Sequence, residues 1–362
     1  MLGKKCTAVV AAAACLCLVG MAAAQATATG EGTTIVPGLA DLQFVACPTS
    51  STCVADGVDT SDANAASAVI NTARGTVRTW GNLKNTAPTG PITCPYKKTC
   101  LALVETNTTQ EIARISVSSG ALKIISKLPA PPKNEANPLY ELACAGTRTC
   151  YAAGWQGNPR GAPGTTGLLI RLSVTGKVEK VTTGGGDYDG FTCESSTTCL
   201  ASRAASGRDM IFPIVNGKPG KGYDGPRGSY VGQLACYGTK GCYALGVKSR
   251  GDTITSEVWP VNPRTGRSGK VTSLRSLSGP ATSSAAATAV ACYSSTQCVV
   301  VGSSGAGVQA SVTVTKGKAG KLVTYPAVTE AFAAVACASK MACYAVGADS
   351  TETVTRSEVT RV

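Results

Sequence analysis

Short apolar runs separated by turn residues recur along the whole chain. One repeat contains four strand-length runs, for example LYELAC, CYAAG, GLLIRLSVT and GKVEKVTT, which are rich in β-forming residues and bounded by Gly, Pro, Asn or Ser. After residue 26 no long segment has apolar positions at helical spacing. Four antiparallel strands per repeat are typical of one blade of a β-propeller. The pattern therefore predicts an all-β fold.

Fourteen of the seventeen cysteines mark the repeats. They form seven copies of Cys-x5-Cys, and successive first cysteines are 43 to 56 residues apart. Seven copies predict a seven-bladed propeller with four-stranded antiparallel blades. Two strands joined by a five-residue loop place the cysteines opposite each other, within disulfide reach. The predicted hairpin disulfides are Cys47–Cys53, Cys94–Cys100, Cys144–Cys150, Cys193–Cys199, Cys236–Cys242, Cys292–Cys298 and Cys337–Cys343.

The two ends of the chain predict how the ring closes. The last repeat stops after its third run, TRSEVTRV, while an unassigned strand-like segment, TTIVPGL at 33–39, precedes the first repeat. An N-terminal strand that completes the last blade would pair two otherwise open edges. An N-terminal tail without structure is the alternative.

The first 26 residues are typical of a secretory signal peptide. Two lysines precede an apolar stretch from Ala8 to Ala24, and small residues follow around a plausible cleavage site. A lipid anchor on Cys15 is an alternative. No other stretch approaches the roughly 18 apolar residues of a transmembrane segment. We therefore expect a secreted, extracellular protein with a signal peptide at 1–26 and a single propeller domain at 27–362, in which paired cysteines are ordinary.

The sequence offers little catalytic chemistry. It contains no His, which excludes Ser-His-Asp triads and histidine metal ligands, and paired cysteines leave no thiolate nucleophile. Asp187 and Asp189 in GGGDYDG could bind Ca²⁺ or serve a glycosidase, although a turn is the simpler interpretation. We therefore predict a non-enzymatic protein without a cofactor or metal.

Charge is more informative than motifs. The chain carries 34 Lys and Arg against 21 Asp and Glu, a net charge of +13. In a four-stranded blade the loops after strands one and three lie on one face, so this face should collect most of the basic residues. The cations predicted to bind a polyanion or protein partner are Lys97, Lys98, Arg148, Lys240, Lys316, Lys318, Lys321 and Lys340. The turns after the third strands add Arg74, Lys177, Lys218, Lys221, Arg264, Arg267 and Lys270, and Glu194 is the single acid predicted there.

A cationic face attracts an anionic cell-surface polymer, an acidic glycan or an acidic protein. Simple solubilisation by surface lysines is the alternative. Nucleic acid is disfavoured because export removes the usual partner and no interleaving of aromatic and basic residues indicates base stacking.

The opposite face has mixed charge, and its loops carry aromatic residues beside Asp and Arg. Aromatic rings stack on the C–H faces of sugars while carboxylates accept hydroxyl hydrogen bonds. Alternatively, these rings anchor their own loops. The predicted carbohydrate-binding residues are Trp155, Arg160, Asp187, Tyr188, Asp189, Tyr223, Asp224, Arg227 and Tyr230.

The repeated pattern, seen in VACPTSSTCVADG, LACAGTRTCYAAG and LACYGTKGCYALG, resembles that of disulfide-bearing propellers exported by actinobacteria. Within that group it looks like the lectin-like spoke component of umbrella toxin particles. The resemblance implies a non-enzymatic subunit that joins other secreted proteins in an antibacterial particle and recognises target cells. The WD dipeptide, the kelch Gly pair and the sialidase Asp box are missing, so the activities of those families do not carry over.

Together these patterns predict a secreted, lectin-like recognition module for a cell-surface glycan or anionic polymer. A polysaccharide hydrolase or lyase on the same scaffold is one alternative, because fold alone does not decide function. A protein scaffold whose basic face docks an acidic subunit is another.

Overall fold

The computed structural model describes residues 28–29, 33–60, 64–74, 76–106, 109–130, 138–157, 165–184, 187–205, 208–238, 241–280, 286–326, 332–339, 342–351 and 354–362. The chain forms antiparallel β-strands almost throughout. Strands β1 to β14 are Ala28–Thr29, Thr33–Val36, Leu39–Thr49, Thr52–Asp59, Asn64–Asn71, Thr76–Lys84, Thr86–Tyr96, Thr99–Thr106, Thr109–Ser116, Leu122–Lys127, Leu139–Ala145, Thr149–Gln156, Thr166–Ser173 and Val178–Thr183.

The C-terminal half continues the same pattern, with a 3₁₀ turn at Arg275–Leu277. Strands β15 to β31 are Gly190–Cys193, Thr198–Ala205, Arg208–Val215, Lys218–Pro219, Tyr223–Asp224, Ser229–Cys236, Cys242–Arg250, Thr253–Val261, Thr272–Ser273, Gly279–Pro280, Ala287–Ser294, Gln297–Ser303, Gln309–Thr315, Lys318–Thr324, Phe332–Ser339, Ala342–Thr351 and Val354–Arg361.

Strand pairing among the described residues defines seven antiparallel units of four strands, which we call blades 1 to 7; in blade 7 the two-residue β1 adds a fifth strand outside β2. Blade 3, for example, has the order β11-β12-β13-β14, and blades 1 and 2 are linked by a single bridge between β5 and β7. In blades 4 and 5 the fourth strand is split into two short pieces, β18 with β19 and β23 with β24. The first strands of all seven blades line a common central channel. The predicted seven-bladed propeller is confirmed.

Each blade contains one disulfide, as predicted. All seven predicted cysteine pairs are bonded. In blades 3 to 7 the two cysteines are direct partners in the register between the first and second strands. Each bridge closes a short loop and so reduces the entropy of the unfolded chain. In the chain-entropy model this adds about 2 kcal/mol to the free energy of unfolding, before any strain in the folded state is subtracted.

The N-terminal strand closes the ring. β2 pairs with β31, with Thr33 opposite Thr360, and the two threonine hydroxyls lie 3.1 Å apart in a buried position. Val36 and Val359 belong to one apolar cluster with blade 1. β2 is therefore the fourth strand of blade 7, as predicted, because pairing removes the open edges at both chain ends.

The glycine that recurs near the end of many second strands has a steric cause. A Cβ atom on Gly154 would collide with the carbonyl oxygen of Pro138, and one on Gly302 would collide with that of Ala286. In both blades the first strand bulges at this level, which brings its backbone against the second strand.

Hydrogen bonds from side chains to backbone connect successive blades. In several blades a polar side chain near the start of the third strand accepts a hydrogen bond from a first-strand N–H of the next blade. Three such bonds are Leu139 N–H to Gln110 Oε1 at 2.7 Å, Ala287 N–H to Ser256 Oγ at 2.8 Å and Phe332 N–H to Gln309 Oε1 at 3.0 Å. Each satisfies a backbone donor that a strand bulge would otherwise leave unpaired.

The predicted signal peptide at 1–26 lies outside the described residues. Within the described part of the chain, no helix has the length and apolar character required to cross a membrane.

Candidate functional site

The cysteine loops and the turns between third and fourth strands lie on one face of the ring. Backbone hydrogen bonds join the two kinds of loop within a blade. Examples are Val117 N–H to Lys98 O at 3.1 Å in blade 2, Asn216 N–H to Thr197 O at 2.8 Å in blade 4 and Lys316 N–H to Thr296 O at 2.6 Å in blade 6. We call this the basic face, because most of the predicted cations lie on it.

The side chains of these cations are directed to solvent. Thirteen Lys and Arg of the two loop sets are exposed among the described residues: Arg74, Lys97, Lys98, Arg148, Lys177, Lys218, Lys221, Arg264, Arg267, Lys270, Lys316, Lys318 and Lys321. Lys240 and Lys340 lie outside the described residues. Positive charge is therefore distributed around the ring rather than confined to one blade.

Glu194, the one acid predicted on the basic face, is buried with 9% of its surface exposed. Burial raises the pKa of this carboxyl, and the positive charge of Arg264 opposes the rise. Little negative charge therefore offsets the exposed cations, which strengthens the field of this face.

Tyr223 was predicted for the carbohydrate-binding set of the opposite face, but it lies beside cations of the basic face. The guanidinium carbon of Arg267 is 4.9 Å from its ring centroid, and the Lys221 ammonium is 5.7 Å away. The β22–β23 turn of blade 5 leans on β17 of blade 4, since a Cβ atom on Gly266 would lie 2.7 Å from the carbonyl oxygen of Ile211. Tyr223 was predicted as a sugar-stacking residue, but the structure places it against cations of the basic set.

Two predicted stacking residues of the opposite face are buried. Trp155 is 7% exposed and Tyr188 is 1% exposed. The Tyr188 N–H donates to Gly154 O, its hydroxyl donates to Gly184 O at 3.0 Å, and its ring lies 5.6 Å from that of Phe212. Burial raises the pKa of Tyr188 to about 12. Trp155 is thus buried within blade 3 and Tyr188 between blades 3 and 4, which corrects their prediction as sugar platforms.

The Asp187 carboxylate and the Asp189 backbone are hydrogen-bonded within blades 3 and 4. The hydroxyl of Tyr140 donates to Asp187, and the Asp189 N–H donates to Ser202 O at 2.9 Å. Within the described residues, no cluster of three or more His, Cys, Asp or Glu side chains has the arrangement of a metal site. Arg160 lies outside the described residues.

The remaining predicted residues of the opposite face are open to solvent. Asp224 and Arg227 are exposed, and Tyr230 is 54% exposed. Asp224 lies opposite Met210 in the pairing of β19 with β17. These three residues stay candidates for ligand contact. Trp155 and Tyr188 do not, because their rings are buried.

The central channel contains a carboxyl group that the sequence analysis missed. The channel has a volume of about 310 Å³, and Glu141, Phe191 and Gln233 lie on its wall. The Phe191 N–H donates to the Glu141 carboxyl, while burial raises the pKa of that group to about 8. Gln233, two blades further on, accepts from the Val290 N–H at 2.6 Å.

Glu141 and Gln233 have the same place in their repeats, three residues before the first cysteine. Both accept a hydrogen bond from the N–H two residues before the first cysteine of the next blade. The repeat alignment could have identified this position. It could not show that Glu141 lies on the wall of the central channel, where burial raises the pKa of its carboxyl.

Asp56 is a second buried carboxyl. It lies within β4, not in a loop, and is 1% exposed. Neither carboxylate oxygen has a hydrogen-bond partner elsewhere among the described residues. Burial raises the pKa of Asp56 well above its ordinary value, and its own backbone N–H opposes the rise only in part. Corresponding positions hold Leu245, Val301 and Val346.

Comparisons with known proteins show the fold and leave the activity open. No protein family and no curated protein matches the sequence. Among solved structures, U3-55K is 9% identical with a TM-score of 0.62, covering 91% of this chain and 98% of its own. An oligogalacturonate lyase in complex with manganese is 9% identical with a TM-score of 0.61, covering 94% and 95%.

The Cps50 (Swd1) β-propeller domain of Myceliophteria thermophila is 10% identical with a TM-score of 0.56, covering 93% of this chain and 99% of its own. Identities this low establish similarity of fold alone. The chain is accordingly a disulfide-bonded β-propeller, and the similar structures include both an enzyme and proteins of other kinds.

Proposed function

We propose that this chain is an exported, non-enzymatic recognition module whose basic face binds an anionic cell-surface polymer. The observation that carries the proposal is the set of thirteen exposed cations on one face, where the acid predicted beside them is buried. Such a surface raises the local concentration of a polyanion and accelerates its association. The interaction should weaken with salt, because exposed charges are screened over about 10 Å at 0.1 M ionic strength.

The rigidity of the binding loops supports the proposal. Each cysteine loop is closed by a disulfide and is hydrogen-bonded, in several blades, to the neighbouring turn. A loop that is already ordered loses little conformational entropy when it binds. Bound polymer would therefore meet cations in fixed positions.

Two features of the sequence support recognition over catalysis. The chain has no His, and the fourteen cysteines of the repeats are bonded in pairs. Asp187, the first of the two carboxylates considered for glycosidase chemistry, is engaged by the Tyr140 hydroxyl. Incubation of the polymer with the protein should release no reducing ends, and release that Asp187→Asn abolishes would favour the hydrolase or lyase alternative.

Salt-dependent elution from an immobilised polyanion tests the basic face. The variant Lys316→Glu/Lys318→Glu/Lys321→Glu reverses three charges in one blade and should elute at clearly lower salt than the unaltered protein. A matched control reverses three exposed cations outside the basic face, with Lys84→Glu, Lys127→Glu and Arg250→Glu. Equal shifts for both variants would show that net charge, and not the basic face, governs retention.

The proposal includes a place within a secreted antibacterial particle. Its support is the resemblance of the cysteine repeats to the spoke component of umbrella toxin particles. Pull-down of the tagged protein from culture supernatant should then recover other secreted subunits in fixed stoichiometry. Recovery of the chain alone would remove this part of the proposal and leave polymer binding untouched.

A further inference from the structure

The junction of blades 2 and 3 on the basic face combines an exposed aromatic ring with cations. Tyr96 follows Cys94 in the cysteine loop of blade 2 and is 45% exposed. Its hydroxyl donates to Thr147 O at 2.8 Å, in the cysteine loop of blade 3. The next residue after Thr147 is the exposed Arg148. The hydrogen bond therefore brings the ring of one loop to the cation of the other.

Two more cations continue the same surface. Lys97 and Lys98 directly follow Tyr96, and both are exposed. The carbonyl oxygen of Lys98 accepts the Val117 N–H at 3.1 Å, which fixes the loop on the adjacent turn. The segments CPYKKTC and CAGTRTC contain no acidic residue. The two adjacent loops thus expose one aromatic ring and three cations on the same face.

The junction is held in one arrangement by several bonds. Disulfides Cys94–Cys100 and Cys144–Cys150 close the two loops. A second hydrogen bond between these blades runs from the Cys144 N–H to Thr93 Oγ1 at 3.0 Å. A ring held by its hydroxyl presents its face to a ligand with little loss of freedom on binding. Tyr237 is also exposed on this face. Its loop includes residues 239–240, which are outside the described part of the chain, so no subsite is proposed there.

We propose that Tyr96, Lys97, Lys98 and Arg148 form a subsite for an acidic sugar of a glycan, with the ring stacked on the sugar and the cations paired with its carboxylate. This inference rests on the proposed function and narrows its ligand from polyanions in general to uronic-acid glycans. A sugar ring has an apolar C–H face that stacks on an aromatic side chain, whereas a polyphosphate chain has charge and no ring. Tyr96 therefore discriminates between two polymers that the cations alone would treat alike.

Binding of hyaluronate oligosaccharides and of inorganic polyphosphate to the full chain, measured side by side, tests the subsite. Tyr96→Ala should weaken hyaluronate binding about fivefold and leave polyphosphate binding unchanged. Tyr96→Phe keeps the ring and loses the bond to Thr147, so it should keep most of the hyaluronate affinity. Val181→Ala removes an exposed apolar side chain from β14, the outer strand of blade 3, and should change neither. Lys97→Gln/Lys98→Gln should weaken both.

The outcomes separate the subsite from the basic face. Equal losses for both polymers in Tyr96→Ala, or no loss in either, overturn the subsite. If the lysine variant still weakens both polymers, the basic face stands. Failure of the unaltered protein to bind either polymer overturns the proposed function together with the subsite. Thermal melts of each variant should match the unaltered protein, because the Tyr96 ring is largely exposed.

Discussion

Glu141 allows a sharp test of the central channel, because the chain contains its own reference for the substitution. Gln233 has the corresponding position in blade 5 and accepts the Val290 N–H with its amide oxygen. Glu141→Gln should likewise keep the hydrogen bond from the Phe191 N–H. It removes only the group that can ionise. Any difference from the unaltered protein then reports the charge, not the packing.

The sign of the pH effect follows from where the carboxyl ionises. In the unfolded chain Glu141 ionises near its ordinary pKa of 4.5, whereas in the folded protein burial raises the pKa to about 8. Between these values the folded state binds the extra proton, so the free energy of unfolding falls as the pH rises. The full shift corresponds to about 5 kcal/mol at most. Because the side chain is partly exposed in the channel, we expect about 1–2 kcal/mol after solvent screening.

Urea unfolding of the disulfide-bonded protein at about pH 5 and about pH 8.5 measures this loss. The absence of His from the chain removes the groups that usually titrate in this interval. Glu141→Gln should lose less stability than the unaltered protein over the interval, by about 1–2 kcal/mol. The reverse substitution, Gln233→Glu, should add a loss of the same sign. Parallel pH profiles for Glu141→Gln and the unaltered protein would refute the reasoning, since the carboxyl would then be solvated and ionised.

Three further substitutions test the packing of the ring. Asp56→Val gives blade 1 the residue type that Val301 has at the corresponding position of blade 6. The variant loses a buried carboxyl, so the free energy of unfolding at neutral pH should rise by about 1–3 kcal/mol. A lower free energy in urea unfolding would show that the Asp56 carboxyl is stabilised by a partner. Deletion of Thr33–Val36 should lower the melting temperature sharply in calorimetry, because β31 loses its partner, and an unchanged melt would dismiss ring closure by this strand. Gly154→Ala should cost about 1–3 kcal/mol in urea unfolding, because its Cβ would collide with Pro138; an unaffected stability would show that the first strand can move.

The basic face illustrates how much of the candidate site the sequence could predict. A four-stranded repeat fixes which loops share a face, so the cations of the cysteine loops and turns could be assigned together. The structure places thirteen of them in solvent. Tyr96 was not assigned a role, because nothing in CPYKKTC shows that its hydroxyl reaches Thr147 in the next blade. Contacts between blades depend on ring packing and have no signal in the repeat.

The opposite face shows where prediction from loop composition failed. Trp155 and Tyr188 lie in Gly-rich segments that suggested exposed rings, but Trp155 is buried within β12 and Tyr188 between blades 3 and 4. An aromatic ring in a long loop gains more free energy from burial against the adjacent blade than from exposure to water. Asp56, which follows an apolar strand segment, is buried for a different reason: it continues β4 and so takes an interior position of the blade.

Local spacing in the sequence is enough to specify the repeated parts of this protein. Cys-x5-Cys between two β-prone runs specifies a hairpin disulfide, seven copies specify seven blades, and a missing last strand specifies closure by the N-terminus. The contacts between blades, in contrast, become visible only in the folded ring. They are the hydrogen bonds of the Tyr96 hydroxyl to Thr147, of the Phe191 N–H to the Glu141 carboxyl, and of the Tyr140 hydroxyl to Asp187. These contacts join residues about fifty positions apart, and their geometry is set by closing the ring, which no local pattern records.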